Sequence, residues 1–182
     1  MMGKIKGFTL VELMVTLAVA AIALGIAIPS FNQTMRNNSS SALGSELAGA
    51  LNYARSEAVK RAKRVSICAS NDGATCLAAN NWKEGWLVFI DDAAADNTAT
   101  VTVGTVLRYW SDLNPLAVIS ARKTGTATDV SFVRFNSTGA LARVDQLGRR
   151  FTARTTGCKG DAATQIDVGL AGMLSTTKQA CP

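Results

Sequence analysis

The sequence predicts an α+β protein, with a long N-terminal helix packed on an antiparallel, β-rich head. Residues Phe8 to Ile28 form an apolar run in which Glu12 is the only charge. Apolar residues then recur at spacings of three or four as far as about residue 63, which indicates an amphipathic helix. From Val65 onward the period changes to two, and short β-branched and aromatic segments are separated by turn-forming residues.

The apolar run is just long enough to cross a membrane as a helix, because its 21 residues span about 30 Å. Lys4 and Lys6 precede it and are expected to stay in the cytoplasm, which places the rest of the chain outside. The small residues Ala18 and Ala20 would also suit a cleaved secretory signal peptide. The acid near the start of the run and the helical pattern beyond it favour a retained membrane helix.

The helical pattern is expected to continue past Pro29, which would kink the helix rather than end it. The apolar positions of this second part form one stripe: Leu43, Leu47, Leu51, Ala54, Ala58 and Ala62. The segments with strand character that follow are RVSICAS, WLVFID, TVTVGTVLRYW, LAVIS, VSFVRF, RFTAR and QIDVGL. Around seven strands after one helix favour a helix packed on an antiparallel sheet, with Trp82, Trp86 and Phe89 in the core.

The composition argues against catalysis and against a metal site. The 182 residues include no histidine, so a Ser-His-Asp triad cannot form and the commonest metal ligand is missing. A zinc site would need all four cysteines at unusual spacings. Asp91, Asp92 and Asp96 lack the spacing of a calcium loop, and a polar turn explains them more simply. We expect no enzyme activity, no cofactor and no metal.

The four cysteines, Cys68, Cys76, Cys158 and Cys181, are expected to form two disulfides, as an even number does in an exported protein. Three pairings are open. The Asn-Asp-Gly turn in CASNDGATC favours Cys68–Cys76, which leaves Cys158–Cys181. Closing these two loops would contribute roughly 2.5 and 3.5 kcal/mol, respectively, to the stability of the folded head. This interpretation requires an oxidising compartment, in agreement with a head outside the cytoplasm.

The positive charge is concentrated in one window. The net charge is +6, and Arg122 to Lys159 contains eight Lys and Arg residues against two acids. Such a region can attract phosphate backbones or anionic lipid. A solvated strand face is the simpler explanation, and the sequence leaves both open.

The segment GFTLVEL after a short basic leader resembles the signal of type IV prepilins and type II secretion pseudopilins. The resemblance implies cleavage between Gly7 and Phe8 by a prepilin peptidase, followed by N-methylation of Phe8. Pro29 falls at the position, counted from that cut, where pilins commonly carry a kinking proline. It also implies a single-pass inner-membrane protein whose head lies in the periplasm before the chain enters a filament.

A second resemblance narrows the family. LNYARSEAVKRAKRVSICAS, followed by WKEGWLVFID, is similar to the GspH/FimT/FimU branch of minor pilins and pseudopilins. It implies the type IV pilin fold, in which a long kinked helix joins a β-rich head. The expected division is a leader at 1–7, a transmembrane and filament-core helix at 8–35, and a periplasmic head at 36–182. Within the head, the amphipathic helix would occupy 36–63 and the β region 64–182.

Glu12 is costly in a membrane, by about 3 kcal/mol at the bilayer centre and less near the edge, so it needs a cation. Cleavage after Gly7 would create one, the α-amino group of Phe8. Within one chain the two groups project poorly toward each other. The resemblance implies that the ammonium of one subunit meets Glu12 of its neighbour in the filament, where a low dielectric strengthens the attraction.

The function implied is that of a minor type IV pilin, a non-catalytic subunit that helps initiate or cap a pilus used for twitching, adhesion or DNA uptake. Its partners would be other major and minor pilins and the prepilin peptidase. It would lie at the tip of the filament. The alternative is a minor pseudopilin at the tip of a type II secretion pseudopilus.

A third possibility is a DNA-binding minor pilin for natural transformation. FimT-like proteins that bind DNA are associated with a G-R-x-R motif, but here the matching stretch is AGMLST, without arginine. The nearest substitute is LGRRFTAR. On a strand, Arg150 and Arg154 would share one face and Arg149 would point away, with Arg143 and Lys159 extending the patch. Such a patch would contact phosphates without reading bases.

Overall fold

The computed structural model describes residues 7–78, 81–142 and 145–182. Most of the predicted leader, and Arg143 of the predicted basic patch, lie outside the described residues. The chain divides into two compact units, the first ending at Met35 and the second comprising Arg36–Pro182. Helix α1 runs from Leu10 to Arg61, so the helical pattern does continue beyond Pro29.

Helix α1 ends one or two residues earlier than the pattern predicted. Ala62 adopts a left-handed conformation with φ of 50°. Its N–H donates to the Val59 carbonyl, and the N–H of Lys63 donates to the Ala58 carbonyl. This hydrogen-bond pattern is the Schellman motif that commonly terminates helices. Ala62 was expected in the apolar stripe, but it is an exposed cap, and the stripe ends at Ala58.

Eight strands follow the helix. They are β1 (Val65–Ala69), β2 (Trp86–Asp91), β3 (Val103–Trp110), β4 (Ala117–Lys123), β5 (Phe132–Phe135), β6 (Arg149–Thr155), β7 (Ala163–Val168) and β8 (Leu174–Gln179). All seven expected segments contribute a strand. β8 was not expected, because its sequence is polar from Ser175 onward.

The strands form two antiparallel sheets of four strands, where the sequence suggested one. The first has the order β3-β2-β1-β5 and the second β4-β6-β7-β8. Alternating burial along β6 and β7 shows that the second sheet covers the core with one face and meets solvent with the other. The α+β fold class predicted from the sequence is confirmed.

The core lies between the two sheets and the second part of α1. Leu47, Leu51, Ala54 and Ala58 of the helix are fully buried there, as their spacing predicted. Trp82, in a single 3-10 turn at Trp82–Glu84, packs edge-on against Phe151 at 5.0 Å and donates its indole N–H to the Val130 carbonyl at 2.8 Å. Trp82 is therefore a structural residue whose indole N–H is satisfied.

Candidate functional site

The first unit presents its apolar side chains outward. Those of Phe8 to Ile28 are exposed, and Phe8 is 79% accessible. By length and composition, the α1 helix is able to cross a membrane, and none of the apolar window is buried within the chain. A side chain built on Gly7 would meet nothing within 4 Å. The two residues expected to flank the processing site are thus open to an enzyme.

The start of α1 is capped by Thr9, which the sequence reasoning missed. The Thr9 hydroxyl accepts a hydrogen bond from the N–H of Glu12 at 3.2 Å. Thr9 is therefore the N-cap and Glu12 the third helical residue, which are the sequence positions of a capping box; the bond from the Glu12 N–H to the Thr9 hydroxyl is the half of it that is formed. The pattern Thr-x-x-Glu before an apolar run was the available signal. A carboxylate in this first turn also interacts favourably with the helix dipole.

The four cysteines form two disulfides in the head. Cys68 is joined to Cys76 and Cys158 to Cys181, with Cα atoms 5.6 and 5.8 Å apart. This is the pairing that the short loop favoured. Asp72 organises the first loop by accepting hydrogen bonds from Thr75 and from the N–H of Ala74, and these bonds hold the pKa of its carboxyl well below the usual range.

A buried ion pair holds the loop between β2 and β3. Arg134 donates its Nε–H to Asp91 Oδ2 at 2.7 Å, and both side chains are almost fully buried. Burial alone would raise the pKa of Asp91, but hydrogen bonds from Ser66, from the Thr102 N–H and from Arg134 outweigh it, and the pKa is lowered. The remaining N–H groups of Arg134 bind the carbonyl oxygens of residues 96, 98 and 100, so one side chain fixes the loop.

The predicted faces of β6 are correct. Arg150 and Arg154 lie on its solvent side with Thr152 between them, while Arg149 is buried on the other side. Arg150 binds Asp167 of β7, Nε to Oδ1, at 2.6 Å. Arg122 of β4 lies directly opposite Arg150 on the same outer face. The outer face of the second sheet therefore carries three arginines, two of which have a carboxylate partner, Asp167 for Arg150 and the more distant Asp129 for Arg122.

Much of the basic window is neutralised inside the head. Its ion-paired cations are Arg122, Lys123, Arg134, Arg149 and Arg150. Asp145 accepts both Lys123 and Arg149, each at 2.7 Å; burial favours a higher pKa there, but these two hydrogen bonds lower it. Among the described residues, Arg154 and Lys159 form no ion pair. The sequence count of eight cations thus overstates the charge offered to a polyanion.

The turn between β7 and β8 occupies the place of the G-R-x-R motif. Leu170 and Met173 are its prominent side chains, 51% and 62% exposed. Gly172 has φ of 73°, and a Cβ there would collide with the carbonyl oxygen of Gly139. The turn is therefore packed tightly against its neighbour, and the two positions at which the motif would carry arginine are occupied by Met173 and Ser175.

Comparisons with known proteins agree with this architecture. A family model described as type II transport protein GspH matches residues 44–172, and a model of the prokaryotic N-terminal methylation motif matches residues 2–28. The minor pilin FimU of Pseudomonas aeruginosa PAO1 matches in two crystal forms. One is 24% identical with a TM-score of 0.55, over 80% of this chain and 90% of that one. The other is 23% identical with a TM-score of 0.52, over 78% and 98%.

The FimU likenesses show the pilin fold, whereas the GspH model, which spans well over half of the chain, shows the family. A search of curated protein sequences found no match. The methylation motif coincides with the segment that holds Gly7, Phe8 and Glu12. The chain therefore belongs to the GspH/FimT/FimU family of minor type IV pilins and pseudopilins.

Proposed function

We propose that this chain is a minor type IV pilin, a non-catalytic subunit that helps initiate or cap a pilus. The observation that carries the proposal is an N-terminal segment that is exposed, apolar and capped, with one carboxylate in its first turn. The segment anchors the chain in the inner membrane, with the head in the periplasm. Cleavage after Gly7 and methylation of Phe8 then prepare it for the filament.

Glu12 is the group expected to direct assembly. In the filament its carboxylate pairs with the α-amino group of Phe8 on a neighbouring subunit, which removes an unpaired charge from a low dielectric. Glu12→Ala should leave membrane insertion and cleavage intact and lower incorporation into filaments tenfold or more, equivalent to about 1.4 kcal/mol. The measurement is an immunoblot of sheared filaments against membranes, with Thr16→Ala as the control one turn away.

Glu12→Gln separates the charge from the cap. Glutamine also serves in a capping box, so this variant keeps the helix start while removing the negative charge. The pairing proposal expects Glu12→Gln to assemble as poorly as Glu12→Ala. Wild-type incorporation of Glu12→Gln would assign Glu12 to the helix cap instead, and wild-type incorporation of Glu12→Ala would remove it from assembly altogether.

The second candidate is a minor pseudopilin of a type II secretion system, and the description of the matching family model favours it. The two disulfides favour the pilus, because covalent crosslinks suit a subunit displayed outside the cell. A deletion strain distinguishes the two. Loss of twitching or transformation with normal protein secretion supports the pilus, and loss of secretion with normal twitching supports the pseudopilus.

DNA binding is the third candidate, favoured by the outer-face arginines of β4 and β6. Arg122, Arg150 and Arg154 would contact phosphates, although Asp129 and Asp167 offset part of their charge. A salt titration of the protein against duplex DNA tests it. Binding that weakens with salt and is lost in the double variant Arg150→Ala with Arg154→Ala supports a DNA site, and the absence of binding near 50 mM salt rejects it.

A further inference from the structure

Strand β8 forms an open edge of the second sheet. Its residues pair in continuous register with β7, from Val168↔Leu174 to Ala163↔Gln179, without a bulge. Among the described residues, β7 is its only partner strand. Its side chains from Ser175 to Gln179 are all exposed. An unpaired edge of this kind presents main-chain donors and acceptors to any extended segment that approaches.

The other three sheet edges are protected. β3 is interrupted by two register shifts against β2, which twist an edge away from further pairing. The last three residues of β4 are covered by the segment after it, since the N–H of Val130 donates to the Ala121 carbonyl and the N–H of Lys123 to the Thr128 carbonyl. β5 is only four residues long. β8 is thus a regular, uncovered edge in a head that protects its others.

The one charge on β8 does not guard the edge. Lysines that project beside an edge strand commonly discourage pairing. The ammonium group of Lys178 instead donates to the Ser41 hydroxyl of α1 at 2.7 Å, on the helix side of the sheet. The edge itself remains accessible.

The main-chain groups that face outward can be assigned. At the start of the β7–β8 hairpin, the N–H of Gly169 donates to the carbonyl of Met173 at 2.9 Å. Bonded and non-bonded pairs alternate along an antiparallel ladder. The N–H and C=O of Ser175 and Thr177 therefore point to β7, and those of Thr176 and Lys178 point away from it.

A groove of about 440 Å³ lies beside this edge, between β8 and α1. Its helix wall consists of small residues, among them Ser45, Ala48 and Gly49, and its sheet wall includes Thr176 and Lys178. Peptides that add a strand to a sheet place alternate side chains in such grooves. The groove and the open edge are therefore parts of one surface.

No described residue approaches the space that a side chain at Gly49 would occupy. A Cβ on Gly44 would collide with Thr164, so the close approach of helix and sheet requires that glycine. A Cβ on Gly49 would meet nothing within 4 Å. Because glycine is a poor helix former, its presence in the middle of α1 weakens the helix, and no close contact with the described residues requires it. What it does provide is an open groove.

We propose that β8 is a strand-addition site that receives an extended segment from a different pilin-like subunit of the same filament. The segment pairs with the outward main-chain groups of Thr176 and Lys178 and places its inward side chains in the groove over Gly49. A carboxylate or amide on it complements the exposed Lys178. The inference rests on the proposed filament function, because only assembly brings such a segment to the edge.

The test uses the full-length chain in its own cells, with a photo-reactive residue at Thr177 and, as a control, at Asn97 in the β2–β3 loop. The sheared filaments are first tested for the presence of this protein. They are then irradiated, and the peptide that becomes crosslinked to the photo-reactive residue is identified. Two variants perturb the site. Thr176→Pro removes an outward N–H while leaving the β7 ladder intact. Gly49→Leu fills the groove and replaces a helix glycine, so it should raise Tm while lowering crosslinking at least tenfold.

Ser56→Leu is the matched control, since it adds the same side chain two turns along α1, outside the groove. The proposal is supported if Thr177 crosslinks an extended segment of another pilin-like subunit and both site variants reduce the yield while Ser56→Leu does not. It is overturned if the chain is in filaments but Thr177 crosslinks no better than Asn97, if the adduct is a second copy of this chain, or if Gly49→Leu leaves the yield unchanged. Absence of the chain from filaments refutes both this proposal and the proposed function.

Discussion

Replacing Arg134 by methionine tests whether the buried ion pair holds the head together. Methionine keeps much of the side-chain volume but leaves the Asp91 carboxylate buried without its cation. The substitution also removes the donors to three loop carbonyls, at 2.7 to 3.1 Å. Breaking one partner of a buried pair typically costs about 3–5 kcal/mol. That is a large fraction of the roughly 5–15 kcal/mol by which domains are stable.

The assay is urea denaturation of the head, residues 36–182, with unfolding monitored by tryptophan fluorescence. With a slope of about 2 kcal/mol per molar urea, a loss of about 4 kcal/mol lowers the midpoint by about 2 M. Arg122→Met is the control, because its ion pair with Asp129 is long, at 3.9 Å, and exposed. Exposed pairs contribute about 0–1 kcal/mol, so the control should move the midpoint by less than about 0.5 M.

The pH dependence provides a second check. The lowered pKa of Asp91 means that its stabilising effect is present at neutral pH and is lost as the pH falls through that pKa. Without Arg134 the same carboxyl is buried and lacks its cation, so its pKa rises and it takes up a proton on mild acidification. The stability difference between wild type and Arg134→Met should narrow from pH 7 to pH 4. Two results would refute the reasoning. One is that Arg134→Met lowers the free energy of unfolding by less than about 1 kcal/mol at pH 7, and the other is that its difference from wild type does not change with pH.

Three further substitutions test separate parts of the head by thermal or chemical denaturation. Ala62→Gly should stabilise it by about 0.5–1 kcal/mol, because glycine adopts the left-handed cap without strain; destabilisation would contradict the cap assignment. Gly172→Ala should destabilise it by at least about 2 kcal/mol, because the new Cβ meets a main-chain oxygen; a neutral result would show that the turn can move away. Replacing both Cys158 and Cys181 by serine should lower the free energy of unfolding by about 3.5 kcal/mol. An unchanged midpoint would indicate that the crosslink does not reduce the conformational entropy of the unfolded chain.

The parts of the fold that were predictable have strong local patterns. Leu47, Leu51 and Ala58 repeat with the helical period and are buried, and the solvent face of β6 follows from alternation alone. Strand β8 was missed because both its faces are polar and exposed from Ser175 to Gln179, so no alternation marks it. Its position comes from pairing with β7 across a short hairpin, and the polar sequence of β8 does not signal that pairing.

Of the candidate site, only the N-terminal processing motif and the disulfide pairing could be predicted from the sequence. The segment around Gly7 and Glu12 was recognised as a motif, and the short loop indicated the Cys68–Cys76 pair. Two of the ion pairs of the basic window were not foreseen because their acids, Asp91 and Asp167, lie outside that window. Asp167 lies directly opposite Arg150 on the neighbouring strand. Charge counted along a chain therefore differs from charge presented on a surface.

The way in which Arg134 holds the β2–β3 loop affects how this loop can evolve. Its guanidinium binds the loop through main-chain carbonyls at residues 96, 98 and 100, and a carbonyl is present whatever the side chain. Substitutions along the loop can therefore change its surface without changing its path. A subunit that must fit new neighbours as other proteins diverge thus has a segment in which sequence can vary while the backbone is conserved.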